Sequence, residues 1–166
     1  MSIPALSIRE AGVADIESIR QIAFATWPSA YGNIISQEQI SYMMDMMYSP
    51  NVLEEQMNKN HLFYMAELDG QPHGFAGVSD EGAGIFKLNK LYVMPDTQKT
   101  GAGKALLAAA IGYARSKTGN TLILQVNRHN PARGFYEKQG FTVREDVDIH
   151  VGNGFYMNDH IMEFAL

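Results

Sequence analysis

Apolar residues recur along this chain with two periods, and the switches between them predict the order of elements. Alternation over 6–9 predicts an opening strand. Asp15 then stands where a helix N-cap is expected, ahead of Ile16, Ile19, Ile22 and Ala23 at helical spacing. A second helix is predicted over 36–48, and its Met43, Met44, Met46 and Met47 are expected to serve as adaptable packing. Residues 27–32 would connect these two helices; Pro50 ends the second, and a short third is expected to reach Asn58. Strands over 62–68 and 74–78 are joined across Asp69-Gly70, a favourable hairpin dipeptide, with Gln71 and Pro72 expected to loosen the turn. A turn at 81–84 precedes a strand over 85–93. A helix over 101–116 places Leu106, Ala109, Ala110, Tyr113 and Ala114 on one face. A strand over 121–126, a helix over 131–139 closed by Gly140, and strands over 142–149 and 155–166 complete the order β-α-α-β-β-β-α-β-α-β-β. That order predicts a mixed α/β domain, one sheet with helices packed on it.

Composition narrows the classes of function. The 166 residues, 46% of them hydrophobic, suit one domain over 1–166 with one sizeable core. No apolar run approaches the roughly 18 residues of a membrane span, and the first ten residues lack the pattern of a secretion signal. Without cysteine, disulfides and thiolate metal sites are excluded, and the five histidines show no metal-ligand spacing; a cytoplasmic protein without a metal is the reading. The net charge of -5 argues against nucleic acid as a partner and suits a cationic one.

The segment 91–104 is the most informative. A strand ending in Leu91-Tyr92-Val93 runs through Pro95 into Gln98-Lys99-Thr100-Gly101-Ala102-Gly103-Lys104, at the start of a helix. Helix N-termini expose unpaired N–H groups, and glycine lets the backbone approach an anion, so the segment suits a phosphate. It is not a P-loop: the position five before Gly103-Lys104 is Gln98, and Ala105 replaces the Ser or Thr. Nor is it a dinucleotide fingerprint, since Leu106 replaces the third glycine and Val126-Asn127 stands where an acidic residue is needed.

Gln98-x-x-Gly101-x-Gly103 after Val93-x-Pro95 resembles the coenzyme A pyrophosphate loop of the GNAT acetyltransferase superfamily. At the right distance, Asn130-Pro131-Ala132 and Phe135-Tyr136-x-x-x-Gly140-Phe141 are similar to that family's next elements. The resemblance implies a GNAT-type mixed sheet of about seven strands, splayed between the fourth and fifth, that binds acetyl-CoA as acyl donor. It further implies direct attack of a primary amine on the thioester through a tetrahedral intermediate. Carried over, the backbone of Leu91, Tyr92 and Val93 would hold the pantetheine, and an N–H near Val93 would polarise the thioester carbonyl. The backbone of Gln98, Lys99, Thr100, Gly101, Ala102, Gly103 and Lys104 would hold the pyrophosphate, with Lys99 and Lys104 as charge partners. Asn130 and Ala132 would lie along the pantetheine or order the helix start. Tyr136 would donate to the departing thiolate, with core packing against Phe135 and Phe141 as the alternative.

The base and the acceptor are less legible. A glutamate used by several members falls at Lys87 here, with Asn89 next on that face, and neither is a carboxylate; Glu38, His61, Asp148 and His150 remain as candidates. Trp27 and Tyr31 are expected to line an acceptor pocket and contact a cation. Residues 24–57 and 151–162 look like the PaiA-type branch of bacterial polyamine acetyltransferases, which implies a polyamine such as spermidine. A peptide or protein amine, or a non-catalytic acyl-CoA-binding domain, are the competing expectations, and the resemblance allows for a homodimer.

Overall fold

A computed structural model describes residues 5–95 and 100–166. Strand β1 (Leu6–Ala11) leads through a 3-10 turn (Val13–Asp15) to helices α1 (Ile16–Tyr31), α2 (Gln37–Tyr48) and α3 (Pro50–Asn58). Strands β2 (His61–Leu68), β3 (Gln71–Asp80) and β4 (Ile85–Val93) follow, then α4 (Ala102–Ser116) and β5 (Thr121–Asn127). Helix α5 (Ala132–Lys138) and strands β6 (Thr142–Gly152) and β7 (Phe155–Ala165) close the chain. The seven described strands form one sheet in the order β1-β2-β3-β4-β5-β7-β6. Only β4 and β5 pair in parallel, as a helical crossover between them allows; the other neighbours are antiparallel.

Each face of the sheet has its own helices. Leu106, Leu107, Ala110 and Ala114 of α4 pack on Val78, Phe86, Leu88, Leu122 and Leu124, with Tyr136 and Phe141 in the same cluster. On the other face Ile19, Ile22 and Trp27 of α1 and Ile40, Met43 and Met44 of α2 cover Phe63, Met65, Phe75 and Met157. Met43 and Met44 are core packing as expected, whereas Met46 is exposed.

Three local expectations change. The chain over 27–31 is not a connection: α1 continues through Pro28 to Tyr31 and ends as the Gly32 N–H reaches the Pro28 carbonyl. Proline fits helical φ and forfeits one hydrogen bond, and here the last turn is anchored by buried Trp27 and Tyr31. The Asp15 carboxylate does not cap α1, because it accepts from the Arg9 guanidinium at 2.8 and 3.0 Å and from the Gly12 N–H. Asp69 and Gly70, at φ 50° and 79°, form a two-residue hairpin turn with Leu68 paired to Gln71. Pro72 disturbs the ladder instead of the turn: the register shifts between Ala66 and Glu67, the latter opposite Pro72, which has no N–H to give.

Candidate active site

The ladder between β4 and β5 runs from Ile85↔Thr121 to Leu88↔Leu124 and stops, although both strands continue. Beyond that point β4 stays paired to β3 and β5 to β7, so the two halves of the sheet part. A bulge in β4 coincides with the parting: Leu88 pairs with Val78 and Lys90 with Gly77, leaving Asn89 extra. The extra residue breaks the alternation, so Lys90 faces the α2–α3 side with Lys87, in a hollow they share with Met46, Gln56 and His61.

A cavity of about 720 Å³ occupies the opening. Its walls include Leu91, Tyr92 and Val93 of β4, Gly103 of α4, Asn130, Ala132 and Tyr136 at α5, and Tyr31 of α1. Four stretches expected to act together thus meet around one space. Gly101 caps α4 in the left-handed region at φ 85° and, as glycine, brings no side chain to the helix start, whose first turn holds no acidic residue. Those N–H groups remain suited to an anion. A Cβ added at Gly103 would lie 3.8–3.9 Å from Phe135, Val93 and Leu91, in the cavity wall. Ala102 is wholly buried, so its backbone alone can face a ligand, and Lys104 is exposed outside the lining. Thr100 is exposed, and Gln98 and Lys99 lie outside the described residues.

Tyr136 both packs and lines the cavity. Its ring meets Phe135 at 5.2 Å and Phe141 at 5.6 Å, both edge-on. Burial, with the Tyr31 phenol nearby, pushes its pKa well above the usual phenol range. The hydroxyl therefore stays protonated and available as a donor. Asn130 accepts from the Ala132 N–H at 2.9 Å, fixing the start of α5, and its side chain lies near the Tyr31 phenol. The Tyr31 hydroxyl lies 3.3 Å from that of Tyr92. Trp27, expected beside Tyr31, stands behind it: it is 1% exposed, 4.4 Å from the Tyr31 ring, and absent from the cavity wall.

Comparison with known proteins decides the family. The acetyltransferase (GNAT) domain profile matches residues 33–160. The chain belongs to the GNAT acetyltransferase family. A spermidine N(1)-acetyltransferase of Thermoplasma acidophilum is 30% identical over 158 residues, 92% of this chain and 95% of that one. The crystal structure of the PaiA N-acetyltransferase of the same species, in complex with coenzyme A, superposes with a TM-score of 0.85 at 28% identity, covering 98% and 99% of the two chains. YncA of Salmonella typhimurium, solved with acetyl-CoA, shares the GNAT fold at a TM-score of 0.68 and 19% identity, covering 98% of this chain and 94% of its own. As a GNAT member the chain is an N-acetyltransferase with acetyl-CoA as acyl donor.

Around the GNAT cavity, none of the base candidates named from sequence lines the wall. Glu38 is exposed on α2, Asp148 pairs with Arg128 at 2.9 Å, and exposed His150 stacks on Tyr156. His61 lines the smaller hollow, where burial, then the charge of Lys90, lowers its pKa. Lys87 donates to Gln125 Oε1 at 2.6 Å. Lys90, 4% exposed, donates to Gln56 at 3.0 Å and sits over the Tyr48 and Phe63 rings; burial, with help from Lys87, lowers its pKa to about 8. Sequence reasoning missed Asp159, a buried carboxylate on β7 that pairs across the sheet with Asn127. Its signal was present: it shares a strand face with Met157 and Ile161, where an apolar side chain would be ordinary.

Proposed function

We propose that this enzyme acetylates a primary amine of a small molecule by direct attack on the thioester, through a tetrahedral intermediate. The observation that carries the reading is the parting of β4 from β5 beside Tyr136 and the glycine-capped start of α4. Acetyl-CoA supplies an electrophilic thioester carbonyl. Backbone groups of Leu91, Tyr92 and Val93 hold the pantetheine arm, and an N–H near Val93 faces the oxygen that becomes negative. The backbone over 98–104 holds the pyrophosphate, with Lys99 and Lys104 as its charge partners, and Asn130 and Ala132 shape the wall between. Tyr136 hydrogen-bonds and protonates the departing thiolate. These roles also argue against the binding-only alternative, which has no need of a phenol in the wall.

A polyamine such as spermidine is the acceptor supported by the relative's name and by the net charge of -5. Tyr31 offers it an aromatic contact at the cavity. One observation favours a second acceptor class. The smaller hollow shares Leu88, Asn89, Lys90 and Gln125 with the main cavity, and its described lining holds Lys87 and Lys90 but no carboxylate. Like charges repel a polycation there, whereas an amine that also carries an acid group gains partners. Free-thiol release from acetyl-CoA, measured with polyamines, aminoglycosides, amino acids and peptides, tests both. Turnover is expected with a small amine. Turnover confined to acid-bearing amines removes the polyamine, and acetyl-CoA binding without turnover on any amine removes the transfer reading.

A further inference from the structure

Amine acetylation has a proton to place, and the residues so far assigned do not take it. An ammonium R–NH₃⁺ must lose one proton before its nitrogen can attack. After attack the nitrogen loses a second as the C–S bond breaks and the thiolate gains one through Tyr136. The third stays on the amide, so each turnover releases one proton. Lys87 is a cation held by Gln125. Glu81 accepts from the Ser79 hydroxyl, which in turn accepts from Asn89, and so lies one residue behind the hollow.

Asp159 is placed differently. It stands opposite Asn127 at the end of β5, on the sheet face that carries Met157 under α1 and α2. It is 7% exposed, and its Oδ1 is buried without a hydrogen-bond partner. The charged groups whose field reaches it are Arg128 from the β5–α5 connection, Lys87 of β4 and His160, the next residue of its own strand and on the opposite face, with Tyr31 of α1 close enough to feel its charge. Tyr31 lines the cavity, and its hydroxyl lies against that of Tyr92, while Tyr136 senses Tyr31 in turn. A buried carboxylate oxygen left unsatisfied is uncommon in a folded chain and calls for a partner that arrives during function.

We propose that Asp159 accepts the proton shed by the acceptor ammonium, passed from the cavity through the Tyr31 hydroxyl. In the structure the Tyr31 hydroxyl meets that of Tyr92 and does not bond Asp159. In the loaded site it turns to the open Oδ1, gives its own proton to the carboxylate and takes the one from nitrogen, so Tyr31 is unchanged and Asp159 ends as a carboxylic acid that returns its proton to water between turnovers. This rests on the transfer reaction proposed above. Burial pushes the Asp159 pKa up to about 6, against the opposing pull of Arg128, Lys87 and His160. At that value it is a stronger base than an exposed carboxylate, yet ionised at neutral pH.

The test compares wild type, Asp159→Asn and Tyr31→Phe. Saturated thiol release, with the best amine of the panel above, is followed from pH 5 to 9.5, with acetyl-CoA affinity by calorimetry and the thermal midpoint on the same preparations. Wild type should lose turnover as pH falls through about 6. The Asn variant should lose that limb and run about 100-fold slower at neutral pH, with acetyl-CoA affinity unchanged. Tyr31→Phe should slow the same step and also keep its affinity. Stability gives an independent sign. Because the folded pKa is raised, ionisation of Asp159 opposes folding increasingly as pH climbs from about 4 to above 6. The Asn variant should therefore gain on wild type in thermal midpoint across that interval. Wild-type turnover with an unchanged acid limb in a folded Asn variant overturns the inference. Should the Asn variant not fold, normal turnover and an unchanged limb in Tyr31→Phe overturn it. No turnover by wild type on any amine defeats the transfer reading itself, and the role of Asp159 falls with it.

Discussion

Replacing Tyr136 with Phe should lower saturated turnover by about 10- to 1000-fold while leaving acetyl-CoA affinity within about twofold of wild type. The ring packs against Phe135 and Phe141 at 5.2 and 5.6 Å, and Phe preserves that packing. Only the hydroxyl is removed. Its pKa is driven up by burial, so it is held neutral and able to donate. A thiolate leaving a tetrahedral centre has a parent pKa of about 8.5 and needs such a donor most as the C–S bond breaks. The loss therefore belongs to turnover and not to binding. Thermal midpoint, calorimetric affinity and saturated rate separate the cases. A Phe variant with full turnover and normal affinity would leave Tyr136 as core packing and require another acid.

Gly103→Val should weaken acetyl-CoA binding by about 10- to 100-fold, the loss of one or two charge-assisted hydrogen bonds. Gly103 lies in the first turn of α4 and in the cavity wall, where a Cβ meets its neighbours no closer than 3.8 Å. The folded chain accommodates the substitution, and the added branches would crowd the backbone that the proposed pyrophosphate site uses. Gly101 is a less clean choice. Its φ of 85° strains any L side chain by about 1–2 kcal/mol, so a fall in affinity there mixes backbone distortion with steric blocking. Titration calorimetry of Gly103→Val at unchanged thermal midpoint decides the point; undiminished affinity would move the pyrophosphate elsewhere.

What was legible in the sequence follows from which residues act locally. Asp69-Gly70 adopts a two-residue turn because its own backbone preferences demand positive φ, and Gly101 ends a loop for the same reason. Helix periodicity located α2 and α4 because their buried residues recur on one face. Non-local features escaped. The bulge at Asn89 is fixed by pairing with Gly77 and Val78, and it carries Lys90 onto the face of Lys87, against simple alternation. Pro28 reads locally as a helix end, yet the burial of Trp27 and Tyr31 outweighs one lost hydrogen bond. Trp27 itself supports Tyr31 from behind, a depth that no spacing along the chain reveals. Asp159 was hidden among the polar letters of an alternating strand, and its burial is set by the tertiary fold and not by its neighbours in sequence.

The four-pair seam between β4 and β5 also bears on how firmly the folded state is held. Past Leu88 the two strands contribute no cross-strand stabilisation to each other, so part of the sheet's cohesion is left to whatever lies in the gap. On the proposed binding mode the pantetheine amides would act as a short guest strand, making acetyl-CoA loading a folding interaction as well as a step in catalysis. By mass action the melting temperature should climb with acetyl-CoA concentration, by the equivalent of about 2.7 kcal/mol at one hundred times the dissociation constant. Amide exchange at Leu91 and Tyr92 should slow more than at residues 85–88, whose ladder is already closed; equal protection along β4 would mean that the donor is held by the loop alone.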